Sequence, residues 1–104
     1  MKLSFRCYDG DGKLLFKVHK RIYASTPKEE TKELIVGELY YQFRSHPSEV
    51  SSIEVFIYNK VCKSKYFLAI ANTTNLLSRS GSLLEGDRVV TFSDNTLNRI
   101  FYNE

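Results

Sequence analysis

The chain has 104 residues, of which 42% are hydrophobic and 26% charged, with a formal net charge of +3. That length sets one α+β-sized domain over residues 1–104, and the apolar fraction is enough for a packed core, which excludes wholesale disorder. The positive excess falls short of the clustered basicity that makes nucleic acid the default ligand, and it leaves an acidic protein or an anionic surface open.

The first segment alternates, with Leu3, Phe5 and Cys7 on one face and Lys2, Ser4, Arg6 and Tyr8 on the other, the period of a half-buried strand. No apolar leader precedes it and no apolar run is long enough to span a bilayer, so a cytoplasmic location is expected, with both cysteines reduced. The Asn72-Thr73-Thr74 sequon then carries no weight. Asp9-Gly10-Asp11-Gly12 resembles the start of a calcium loop. The positions that should supply the fifth and twelfth ligands are Lys13 and Lys20, and a cation there repels a metal. The stretch reads instead as a hairpin turn into a second alternating run, with Leu14, Phe16 and Val18 on one face and Leu15, Lys17 and His19 on the other.

A helix is expected from Thr26 as N-cap, with Pro27 at its first position and Glu29 closing a capping box, to about Arg44 before Ser45-His46-Pro47. Ile35, Val36, Leu39, Tyr40 and Phe43 form its core stripe. Gly37, unfavourable in a helix by about 1 kcal/mol relative to Ala, points to close packing against a strand. Strands follow at 51–58, with Ile53, Val55 and Ile57 inward, and at 66–71. A loop over 72–82, a turn at Glu85-Gly86-Asp87 and a strand at 88–92 come next. Ser93 or Asp94 caps a short terminal helix carrying Leu97, Ile100 and Phe101.

The order β-β-α-β-β-β, with that terminal helix, implies an α+β fold in which a mixed sheet of about five strands packs on one main helix. It resembles the β-grasp, or ubiquitin-like, arrangement, and Leu83-Leu84-Glu85-Gly86-Asp87-Arg88-Val89-Val90 resembles the turn and strand of the sulfur-carrier members of that fold. Those carriers end in Gly-Gly, whereas this chain ends Phe101-Tyr102-Asn103-Glu104, so the resemblance implies a fold and not carrier chemistry.

Catalytic and metal-ligating residues are not expected, nor is a cofactor. The chain's two histidines, His19 on an exposed strand face and His46 at a helix end, pair with no evident nucleophile. Cys7 falls on a core face, while Cys62, among Lys60, Lys63 and Lys65, is the more reactive thiol. The backbone of Ser78-Arg79-Ser80-Gly81-Ser82 reads as a plain loop.

Two surface features remain. Phe56 and Tyr58 alternate outward from the third strand and Tyr41 lies off the helix stripe, which suits a protein partner or a homodimer unless Phe101-Tyr102 covers them. Lys17, Lys20, Arg21, Lys60, Lys63 and Lys65 sit at strand ends among aromatics, as in single-stranded nucleic-acid surfaces, although lysines also guard sheet edges. The sequence therefore leads to the expectation of a small non-enzymatic binding protein. It would act by protein–protein recognition or inhibition through a sheet edge or aromatic face, as accessory and inhibitor proteins of phages and mobile elements do. The alternative is a single-stranded nucleic-acid binder using the lysine-rich strand ends.

Overall fold

In the computed structural model of the chain the described residues are 1–59, 63–72 and 90–101. They form β1 (Lys2–Tyr8), β2 (Leu14–Arg21), α1 (Lys28–Ser45), β3 (Ser52–Asn59), β4 (Ser64–Asn72), β5 (Val90–Phe92) and α2 (Asp94–Ile100). This is the element order expected from the sequence. The sheet runs β2-β1-β3-β4-β5. Every pairing in it is antiparallel, so the mixed sheet expected above is corrected. The helix explains the direction of β3. β2 ends beside Lys2, and an 18-residue helix spans about 27 Å, which returns the chain to the Tyr8 end, where β3 begins at Ser52. β3 must then run against β1.

The turn between β1 and β2 is built by Asp9. Its carboxylate accepts from the backbone N–H of Asp11 and of Lys13, both at 2.9 Å. The Asp9 N–H donates to the Lys13 carbonyl and the Gly12 N–H to the Asp9 carbonyl. Gly12 takes φ +81°, a left-handed conformation that glycine adopts without Cβ strain. A bulge between Cys7 and Tyr8 sets Leu14 opposite Tyr8, so Leu14 leaves the face of Phe16 and Val18 that strict alternation assigned to it. Leu14 and Leu15 are both exposed as a result.

One face of the sheet is the core. Leu3, Phe5 and Cys7 of β1 lie opposite Ile57, Val55 and Ile53 of β3, all of them buried. Onto this layer α1 turns Ile35, Leu39 and Phe43, and α2 with its following residue contributes Leu97 and Phe101. Each such large side chain, fully buried, contributes about 1.5–3 kcal/mol, so this layer dominates the stability. Val36 and Tyr40 of the expected helix stripe are only partly buried, while Thr31 and Gln42 are buried instead.

Two local expectations change. Pro27, not Thr26, is the N-cap of α1, and it makes no side-chain cap hydrogen bond. The Thr31 hydroxyl instead donates to the Pro27 carbonyl at 3.0 Å. Gly37 does not mark close packing either, since a Cβ there would meet nothing within 4 Å. α2 follows expectation, with the Ser93 hydroxyl accepting from the Thr96 N–H at 3.3 Å. No helix among the described residues is long and apolar enough to cross a membrane. The turn at Glu85-Gly86-Asp87, the loop beyond Asn72, the first residues of the last expected strand and Tyr102 lie outside the described residues.

Candidate functional site

Alternation that buries Leu3, Phe5 and Cys7 sends Lys2, Ser4, Arg6 and Tyr8 to the opposite side of the sheet, and the register aligns them with their neighbours. One row across the strands reads Arg21, Lys2, Tyr58, Lys65. The next reads His19, Ser4, Phe56, Phe67, and the third Lys17, Arg6, Glu54, Ile70. Both helices contribute to the core layer on the other side, and no described element packs over these rows.

The face is therefore cationic and aromatic together. Lys2, Arg6, Lys17, Arg21 and Lys65 stand on it against one strand carboxylate, Glu54. The Lys65 ammonium lies 4.7 Å from the centre of the Phe56 ring, the Arg6 guanidinium 5.6 Å from the same ring, and the Lys2 ammonium 5.6 Å from that of Tyr58. Phe67, 40% exposed, meets Phe56 edge-on at 5.8 Å. Such contacts pre-order cations over rings and are individually worth about 0.5–1 kcal/mol at exposed sites.

The electrostatics follow from that crowding. Desolvation, and then the like charges of Arg6, Lys17 and Lys2, hold the Lys65 ammonium below the usual lysine range. The Tyr8 hydroxyl is pushed the other way, chiefly because it donates a hydrogen bond to Glu54. The Nε of Arg6 is buried and has no hydrogen-bond partner among the described residues. A surface that repels its own cations and leaves a buried donor unbonded is one that an anion with acceptor atoms stabilises. At the end of the first row a depression of about 710 Å³ is lined by Met1, Lys2, His19, Lys20, Arg21 and Tyr58.

The residues singled out from the sequence divide between surfaces. Lys17, Arg21, Lys65, Phe56 and Tyr58 come together on this face. Lys20 does not. It alternates to the helix side, where its ammonium pairs with Glu38 at 3.2 Å, and Gln42 donates to the same carboxylate at 2.6 Å. Tyr41 is exposed on α1, away from Phe56 and Tyr58, so the three aromatics make no common patch. Lys63 sits before β4 with φ 52°, exposed and off the strand rows, and Lys60 and Cys62 lie outside the described residues. Lys2, Arg6, Glu54 and Phe67 were missed as site residues. Alternation within each strand assigns Lys2, Arg6 and Glu54 correctly, but only the strand order makes them neighbours.

Cys7 is part of the core, and burial, helped by Glu38, pushes its thiol up to about 11. That leaves almost no thiolate at neutral pH, so it offers no nucleophile. His46 meets the Phe16 ring at a tilt, centres 4.9 Å apart, and closes α1, while His19 stands on the open face. The Asp9 carboxylate is occupied by its own turn. Among the described residues no three His, Cys, Asp or Glu side chains are grouped to hold a metal ion. Comparison of the chain with protein-family models, with curated proteins and with solved structures gives no match. The β-grasp arrangement expected from the sequence is not confirmed: the sheet runs β2-β1-β3-β4-β5 with every pairing antiparallel.

Proposed function

We propose that the open face of the sheet binds single-stranded nucleic acid, the five cations neutralising phosphates and the rings of Tyr58 and Phe67 stacking bases. The observation that supports this reading is the pairing of Lys2, Arg6 and Lys65 with Tyr58 and Phe56 on one sheet face over which no described element packs. An antiparallel sheet with such a surface is a stacking platform for unpaired bases, whereas a duplex hides its base faces. The net charge of the whole chain understates the field, because the acidic residues of α1 lie on the other layer.

Fluorescence anisotropy with labelled oligothymidine and oligouridine tests it. Binding at low salt is expected, with affinity falling roughly 50-fold between about 50 and about 200 mM salt if four phosphates are neutralised. Failure of both probes to bind at the lower salt would remove the proposal.

A second reading, recognition of a protein by strand addition, is supported by the edge strand β2. The N–H and carbonyl of Ile22 pair with Met1 at 2.9 and 3.0 Å. Alternation from that pair turns the backbone groups of Lys17, His19 and Arg21 outward, away from β1. An acidic extended peptide suits that edge. Its mark would be backbone amide protection appearing at Lys17, His19 and Arg21 when partner binds.

A further inference from the structure

Resting on the nucleic-acid reading, we infer that the third row of the open face reads a base, and that the base is guanine. Arg6 and Glu54 face each other directly in the β1–β3 register. One supplies a fork of donors and the other a pair of acceptors. The guanidinium is held over Phe56, and its Nε is buried without a partner among the described residues. The Tyr8 hydroxyl donates to the carboxylate and accepts from the Arg6 guanidinium, which fixes both side chains and leaves further carboxylate lone pairs and guanidinium N–H groups open.

Elsewhere on these rows the face offers cations, rings, hydroxyls, an imidazole and the aliphatic Ile70, which discriminate poorly among bases. At this row a base must present acceptors to Arg6 and donors to Glu54 together. Guanine offers both: O6 and N7 accept from a guanidinium, and the adjacent N1–H and N2–H groups donate to the two oxygens of a carboxylate. Adenine, cytosine and uracil each put one donor group on their pairing edge, so none can satisfy a carboxylate in the same bidentate way. The neighbouring ring of Phe67, one row away on β4, is the exposed surface against which the purine lies. A buried donor left unbonded in the free protein gains its partner only when the correct base arrives, and this favours discrimination over mere affinity.

The experiment compares oligothymidine strands that carry one central guanine, adenine, cytosine or hypoxanthine, as DNA and as RNA, with GMP as competitor. The guanine strand is expected to bind about tenfold tighter than the adenine strand, the worth of one good bidentate contact. Hypoxanthine, which lacks the N2 amine, should fall between them. Glu54→Gln should abolish the guanine preference and strengthen binding of plain oligothymidine, because a negative charge leaves the face. Arg6→Lys keeps the charge and should lose the preference while retaining most of the affinity for oligothymidine. Equal affinity for all four strands overturns the guanine assignment while leaving the nucleic-acid reading intact. No binding of any strand defeats the underlying reading and this inference with it. Competition by GMP as effective as by the guanine strand overturns the strand as ligand and assigns a free nucleotide.

Discussion

β1 and β3 present two surfaces made from alternate residues of the same strands. Leu3, Phe5, Cys7, Ile53, Val55 and Ile57 are at most 1% exposed and hold the protein together. Lys2, Arg6, Glu54, Phe56 and Tyr58, each next in sequence to one of them, keep part of their surface exposed and gather three cations around two rings. The difference teaches that stability and recognition are separated here by one residue of register, not by distance along the chain. A change on one face should therefore leave the other's property nearly untouched.

The largest effect expected is a double contrast. Phe5→Ala should lower unfolding free energy in urea by about 3–5 kcal/mol. Phe67→Ala should change stability by less than about 1 kcal/mol and weaken oligonucleotide binding by about 1–3 kcal/mol. A Phe67→Ala protein that binds as the parent does would take stacking out of the account.

Alkaline pH separates Cys7 of the core face from Lys65 of the open face by sign. The Cys7 thiol is raised from 9.0 to about 11 in the fold, so above pH 9 the unfolded chain loses a proton that the folded chain keeps. Stability should thus fall as pH rises from 9 towards 11, and Cys7→Ala should remove that part of the slope. The Lys65 ammonium is lowered, so the folded chain gives up its proton first and rising pH favours the fold. Lys65→Met should steepen the alkaline loss. Urea unfolding at a series of pH values reads both slopes, and slopes of equal sign would contradict the comparison.

The smallest effect belongs to the helix that covers the core face. Gly37→Ala adds a Cβ into open space and should raise stability by up to about 1 kcal/mol. Thermal unfolding would show it as a modest increase in midpoint, and a decrease would mean that the helix geometry there needs glycine.

Much of this was legible in the residues. Alternation from Leu3 to Cys7 and from Ile53 to Ile57, the Ser93 cap and the Asp9 turn are local signals, because each depends on neighbours in sequence. The face that carries the proposed site depends on strand order, which local signals do not encode. Lys2 and Arg6 gain significance only when β1 lies between β2 and β3. Lys20 was grouped with Arg21 because they adjoin in sequence, yet adjacent strand residues point to opposite sides, and Lys20 shares the side of Phe16 and Val18. Phe67 was hidden for a different reason. The irregularity between Val55 and Phe56 shifts the β4 register, and Leu68 is buried beside an exposed Phe67. Thr26 fitted a capping pattern, but the helix begins one residue later, and Pro27, whose side chain has no acceptor, holds the cap position.

The outward-turned backbone of β2 has a consequence for handling the protein. Among the described residues that edge has no strand partner, which makes it a template on which a second copy can polymerise, and the charges of Lys17 and Arg21 keep such copies apart. Salt at about 1 M shortens the range of that repulsion to about 3 Å, so concentrated stocks should cloud first at high ionic strength and clear on dilution into dilute buffer.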